Sequence, residues 1–412
     1  MSRLVAAARQ APPGFGGYPV VVETQQGELG VRYEHTVLGQ LLKALSRRQF
    51  GAIVERHQGD RYIKDFKSWD HLVTLIFAQL GGTASLRELE TVWNAQAAHH
   101  YHLGSGAVCR STVSDANARR PSALFAEVFA ALSAAAGITL PHHGGEAVRL
   151  IDATPIPLAG LHRWAQCNGR TRGLKTHLVY DPEADRPVHL EITAATVNDV
   201  VVGRRQPIEA GATYVFDKAY ADYAWWRAID AAGGLFVTRP KTNVPLRLLQ
   251  QRPVSESDRE QAAIEGDAVV ELASQQRSRL PIALRRITVR RDDGRRLTLL
   301  SNDLQRSAGQ IAALYKQRWQ IELLFRWIKQ HLKIRKFLGR SENAVRLQII
   351  AAMIAYLLLR IAACASRSRL LPLRFADLVR VRLFDRRPLA EIDKPPPPPD
   401  RHPQPQLAFA YA

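Results

Sequence analysis

The rhythm of apolar and polar residues changes twice along this chain. From Tyr33 to about Leu140 the apolar positions recur at helical spacing. Phe66, Trp69, His71, Leu72, Leu75, Ile76 and Leu80 follow that spacing, and Gly81-Gly82 then stops the helix, because glycine accepts the left-handed backbone of a helix end. Ser85 and Glu88 have the three-residue spacing of a capping box and predict a new helix start. A third helix is expected after Ser111-Thr112-Val113-Ser114-Asp115, and a fourth over 123–136. Short helices, tight turns and scattered arginines suit a DNA-binding module, and equally an ordinary helical domain.

After the Pro-His-His-Gly-Gly loop at 141–145 the period shortens to that of strands. Val148 to Ile151, Lys175 to Tyr180 and Val188 to Thr193 read as three strands in succession. Ala212 to Phe216 is a fourth, and Leu235 to Thr238 a fifth after a helix over 220–231. Residues 241–300 begin polar. They then give Leu284 to Arg290, a turn at Asp292-Asp293-Gly294, and Leu297 to Leu300, a hairpin signal within a β-rich insertion. One long helix is expected over about 307–336, and an apolar one over 342–365. The fold class is therefore α/β, a mixed sheet flanked by helices, preceded by an all-helical domain. The boundaries read as a flexible arm over 1–30, around Pro12 and Pro13, and a helical DNA-binding domain over 31–140. A catalytic domain over 146–365 and a C-terminal helical segment over 366–390 follow, with a Pro-rich, disordered tail over 391–412.

Charge narrows the partners. Lys and Arg number 57 against 38 Asp and Glu, a net +19 that calls for a polyanion, either nucleic acid or an anionic membrane surface. The best membrane candidate, Leu347 to Ala365, is interrupted by Gln348 and Arg360 and reads as a buried helix. Nucleic acid is the expected partner, with no membrane. Cys109, Cys167 and Cys364 lie far apart and show no CxxC pair, which fits a reducing cytosol. The N-terminus has no apolar run of signal-peptide length. His99-His100-Tyr101-His102 lacks the i,i+4 spacing of a helical metal site and reads as an exposed turn.

Candidate chemistry is concentrated at three acids. Asp152 and Asp217 each follow a strand run, where a carboxylate is held rigidly beside a cleft. On the long helix, Tyr315, Arg318, Glu322 and Lys329 share an arc of about 60° at 100° per residue. Glu322 is one of two acidic residues among ten basic ones over 305–346, an imbalance unlike a generic solvated helix face. Three carboxylates beside dense positive charge point to metal-assisted phosphodiester chemistry, with Mg²⁺ on hard oxygen ligands and Lys and Arg on phosphates. Lys175 and His177 share one face of their strand, Asp199 is a further acid in a turn, and Lys218 adjoins Asp217.

The pattern Tyr315-x2-Arg318-x3-Glu322-x6-Lys329 resembles the YREK signature of the insertion-sequence-four family of DDE transposases. Ile151-Asp152-Ala153-Thr154-Pro155-Ile156 is similar to that family's first Asp motif. Val215-Phe216-Asp217-Lys218-Ala219-Tyr220-Ala221-Asp222-Tyr223 is similar to its second. Gaps of 65 and 105 residues separate the three acids, the longer one holding the β-rich insertion that the family also carries. The resemblance implies an RNase H-like fold and a metal-binding catalytic triad of Asp152, Asp217 and Glu322. It implies two Mg²⁺ ions, replaceable by Mn²⁺, and transposon-end phosphates held by Tyr315, Arg318 and Lys329. It further implies cut-and-paste transposition on double-stranded DNA, by a homodimer in the DNA complex, in the cytoplasm. One departure stands out: relatives use an insertion Trp at a flipped base, but residues 241–300 contain no Trp, Tyr or Phe. The nearest aromatics are Trp225, Trp226, Trp319 and Trp327. Two other classes remain as alternatives, a catalytically silent domesticated DNA-binding protein and a stand-alone RNase H-like nuclease. Residues 277–296 carry eight Arg against Asp292 and Asp293, so the insertion and the Glu322 helix together are expected to hold DNA across the cleft.

Overall fold

Helix punctuation in the first third of the chain is local and strong. The computed structural model describes residues 20–23, 29–32, 35–140, 145–158, 162–167, 169, 171–242, 244–273, 280–332 and 337–395. Of the expected arm, Val20–Glu23 (β1) and Leu29–Arg32 (β2) are described, and they pair as an antiparallel hairpin rather than forming a loose stretch. Thr36 caps α1 (Val37–Leu42), its hydroxyl accepting from Gly39 N at 3.0 Å, and Ser46 caps α2 (Arg47–Arg56) in the same way. Helix α3 (Ser68–Gly81) ends at Gly82 in the left-handed region, φ 69°. Ser85 caps α4 (Leu86–Asn94), but the Glu88 carboxylate reaches back to Ala84 N at 2.7 Å, one residue before the expected partner. Helix α5 (Ala97–Leu103) corrects the reading of the histidine run as a turn. His100 is buried there, stacked on Trp93 at 4.5 Å and bonded to Trp93 O. Helices α6 (Arg110–Arg119) and α7 (Ser122–Thr139) follow.

The strands β3 (Val148–Pro157), β4 (Gly173–Asp181) and β5 (Arg186–Ala194) form an antiparallel meander. The chain then runs through α8 (Asp199–Gly203), β6 (Thr213–Phe216), α9 (Tyr223–Ala231) and β7 (Leu235–Thr238), with β6 parallel to both β3 and β7. The insertion contains β8 (Leu246–Arg252), α10 (Glu256–Ala262), β9 (Ile264–Leu272), β10 (Leu284–Arg290) and β11 (Arg296–Ser301). It is not a separate unit. β11 pairs with β7 through Leu300↔Thr238, and all nine strands form one sheet in the order β5-β4-β3-β6-β7-β11-β10-β9-β8. Side chains alternate between the two faces of each strand. Leu150, Leu178, Val215 and Val237 join one core, while Ile151, Val179, Phe216 and Phe236 join the other.

The expected long helix is two helices, α11 (Ala308–Gln317) and α12 (Trp319–His331). The apolar helix α13 (Glu342–Ala365) matches its expected span. It and α7 are long and apolar enough to cross a membrane, yet 78% of the α13 window is buried inside the protein. The two polar interruptions of α13 have internal partners: Gln348 Oε1 accepts from Leu338 N at 2.8 Å, and Arg360 pairs with Asp185 at 3.0 Å. Helix α13 packs against α3, α6 and α7, and also against β5 and α14 (Pro372–Val381). The N-terminal helices thus share one hydrophobic core with the sheet. The C-terminal segment closes back on them, since Val37 N and Leu38 N donate to Asp385 O and Leu383 O at 3.0 and 2.8 Å. Of the expected disordered tail, residues 391–395 are described and Ile392 is buried; the rest lies outside the described residues.

Candidate active site

Register brings two of the acids together. In the parallel pair, Ile151 of β3 stands opposite Phe216 of β6, so the next residues are Asp152 and Asp217. β6 ends there, and the chain turns into a short 3-10 helix over Lys218–Tyr220. β3 continues, with Asp152 opposite Leu178 of β4. Asp152 therefore lies inside a ten-residue strand rather than at its end, but it is where the parallel neighbour leaves.

Helix α12 brings the third acid over β3. The break between α11 and α12 falls on Arg318. The chain passes it with three-residue turns, Arg318 N bonding Tyr315 O at 3.1 Å and Ile321 N bonding Arg318 O at 3.3 Å. Arg318 Nη1 lies 2.7 Å from Glu322 Oε1 and 3.7 Å from Asp152 Oδ2. The Tyr315 hydroxyl donates to Asp217 Oδ1 at 3.3 Å and also bonds the Arg318 side chain. Lys329 Nζ donates to Thr154 Oγ1, two residues beyond Asp152 and on the same face of the strand. Tyr315, Arg318 and Glu322 are thus linked with the two aspartates, and Lys329 is held beside them through Thr154. A cavity of about 270 Å³ opens beside them, lined by Asp152, Thr154, Glu322, Arg326, Lys329 and Gln330 among others.

Burial sets the electrostatics. It pushes the Asp152 carboxyl up to about 6, aided by the charges of Glu322 and Asp217 and opposed by the Ala153 N–H and Arg318. Burial and then Asp217 push the Tyr315 phenol up to about 12, so it remains a hydrogen-bond donor at neutral pH. Burial works against the charge of Arg318, but Tyr315, Glu322 and Asp152 outweigh it. Among the described residues no three His, Cys, Asp or Glu side chains close on a single metal position, and Arg318 lies between two of the carboxylates. The donor set itself suits a divalent ion. It offers hard oxygens on carboxylates that feel one another's charge, one of them desolvated enough to gain from a strong counter-charge.

Two contributors escape the sequence pattern. Thr154 seats Lys329, and Arg239, just past β7, approaches Asp217 at 3.7 Å. Arg239 was legible as a cation at a strand end, but nothing in its spacing tied it to Asp217. Lys175 and His177 of β4 form their own cluster with Asp199 at the start of α8. Lys175 Nζ lies 2.8 Å from Asp199 Oδ1, and burial pushes His177 down to about 4. Trp225 and Trp226 are core residues, and Trp327 packs on Tyr356 at 5.2 Å. Trp319 is half exposed, with the Arg326 guanidinium 5.7 Å from its ring centroid. Part of the insertion's positive charge is engaged in ion pairs within it. Arg285 is 2% exposed and pairs with Asp267 at 2.6 Å, while Arg290 and Arg296 face Glu265. Arg285 is the one described arginine of 277–296 that burial withdraws from solvent, while Arg290, Arg291 and Arg296 are exposed.

The chain is similar to proteins named as transposases. Residues 143–358 match the family described as the transposase DDE domain, and residues 33–105 match a domain of unknown function. A Sinorhizobium fredii protein named as a transposase is 55% identical over 304 residues, covering 73% of this chain and 85% of that one. A Geobacillus stearothermophilus protein named as an insertion sequence transposase is 34% identical over 217 residues, covering 52% of this chain and 56% of its own length. Among solved structures, the piggyBac transposase in a synaptic complex with hairpin DNA overlaps 86% of this chain and 81% of its own, with TM-score 0.47 and 12% identity. The family match spans the strands that carry Asp152 and Asp217 and the helices that carry Tyr315 to Lys329, and the chain belongs to the transposase DDE domain family.

Proposed function

We propose that this chain is a cut-and-paste DNA transposase of the insertion-sequence-four type. It binds the inverted repeats at transposon ends and catalyses strand cleavage and strand transfer in an RNase H-like centre. The observation that carries this reading is the β3–β6 register, which sets Asp152 beside Asp217, with Glu322 tied to Asp152 through Arg318. Three antiparallel strands followed by two parallel ones support the RNase H-like assignment. Asp152, Asp217 and Glu322 are the residues that would hold two Mg²⁺ ions, with Mn²⁺ able to replace them. Bound there, such ions supply Lewis-acid stabilisation of phosphoryl oxygens and lower the pKa of a bound water.

The remaining roles belong to the chain's own side chains. Lys329, fixed by Thr154, and Arg318 bind phosphates flanking the scissile bond, and Tyr315 orients Asp217 through its hydroxyl. Water attacks the phosphorus at the transposon end, and the 3′ oxygen leaves with a proton as a free hydroxyl. That hydroxyl then attacks a second phosphodiester in line, forming one P–O bond as another breaks. Both nucleophiles are oxygens, so one site serves each step. The working partner is double-stranded DNA, both ends and target, bridged by a homodimer in the cytoplasm.

The test uses the purified chain, Mg²⁺ and a plasmid carrying the element's terminal repeats. The expected products are nicks that leave 3′-OH ends, followed by joining of those ends to a target molecule. Nicking without joining supports a stand-alone nuclease instead. Binding without either product supports a domesticated, silent protein.

A further inference from the structure

Resting on that reading of the triad, we propose that Arg318 is a built-in stand-in for the metal, released when a DNA phosphate takes its guanidinium. The divalent-ion site would then open only on DNA. The same nitrogen, Nη1, meets Glu322 at 2.7 Å and lies 3.7 Å from Asp152. A divalent ion held by Asp152 and Glu322 would need the position beside both carboxylates that this nitrogen occupies. A guanidinium and a divalent ion therefore compete for one position.

Three further features favour a cation that leaves. Arg318 Nε is buried and has no hydrogen-bond partner, so this placement satisfies the guanidinium incompletely. A planar guanidinium matches a phosphate bidentately, which would satisfy donors left idle here. The residue also sits at the break between α11 and α12, where three-residue turns replace the four-residue helix ladder. Tyr315 bonds both Arg318 and Asp217, so the departure of Arg318 is felt at the other aspartate as well. In this structure the Arg318 charge favours the ionised Asp152 carboxylate that Glu322 and Asp217 disfavour. The device keeps hydrolytic chemistry silent on free protein and couples DNA occupancy to metal uptake. By linkage, each ligand then raises the affinity of the other by the same factor.

The experiment measures Mn²⁺ binding by calorimetry, without turnover, on wild type, Arg318→Gln and Asp152→Asn, each with and without an uncleavable terminal-repeat duplex. Wild type is expected to bind Mn²⁺ weakly alone and about tenfold or more tightly with the duplex, within the usual range of coupled sites. Arg318→Gln is expected to bind Mn²⁺ tightly without DNA and to gain little from it. Arg318→Lys, which keeps the charge but not the reach, is expected to lie between and serves if Arg318→Gln does not fold. Equal DNA-free affinity in wild type and the Arg318 variants, abolished by Asp152→Asn, overturns the stand-in and leaves the triad standing. Mn²⁺ binding that Asp152→Asn does not change overturns the triad reading itself, and the stand-in with it.

Discussion

Asp152 is costly to ionise where it stands. Its carboxyl is pushed up to about 6 from an ordinary 3.8, chiefly by burial. Between those values the folded chain binds more protons than the unfolded one, so this group makes stability fall as pH rises through the window. Asp152→Asn removes the penalty while keeping an oxygen for the Ala153 N–H. The metal-free variant should therefore melt above wild type at pH 8, by the equivalent of about 1–3 kcal/mol, with the difference closing towards pH 4. Equal melting temperatures at pH 8 would show that the carboxylate is well solvated. At this scale the gathering of the six candidate residues was legible, because residue type and helical spacing together single them out. Thr154 and Arg239 were not, since each acts through a contact across a long stretch of chain that no local pattern records.

Elements were legible where capping and alternation are strong. Gly82, Ser85 and the Asp-Gly turn all stand where expected. Strand β8 was not legible, because Leu246 to Arg252 does not alternate. Leu248 and Leu249 are both about half exposed, and the register shifts between Leu248 and Gln250. Ser255, whose hydroxyl caps α10 by accepting from Asp258 N, was a usable signal that the polar composition hid. The insertion's junction with β7 could not be read at all, since strand order in a sheet is set by tertiary packing. Its buried Arg285–Asp267 pair has a measurable consequence. Arg285→Met leaves the buried Asp267 with only the longer Arg252 contact, and should lower stability by about 3 kcal/mol. The salt dependence of DNA binding should stay unchanged, whereas Lys329→Ala should reduce that slope by about one phosphate contact. A reduced slope for Arg285→Met would place that arginine on DNA after all.

For the molecule as a whole, α13 is the organising element. It joins the N-terminal helices to β5 and α14, so the domain boundaries read from composition do not mark separable cores. Trp69 and Trp93 lie among the N-terminal helices, Trp225 and Trp226 against the sheet. Single-tryptophan variants should report one shared denaturant midpoint from both places; two well-separated midpoints would mean that the halves fold independently. Net charge pointed to a polyanion from the start, and of the insertion's described arginines over 277–296 only Arg285 is buried in an ion pair. The proposed function rests on the carboxylate cluster more than on gross charge. Its most direct test is Mg²⁺-dependent cleavage of a terminal-repeat duplex by wild type, Asp152→Asn, Asp217→Asn and Glu322→Gln, with DNA binding measured in parallel. The expected result is cleavage by wild type alone, each variant losing at least about a thousandfold in rate while still binding the duplex. Cleavage at the wild-type rate by any one of the three would contradict the triad.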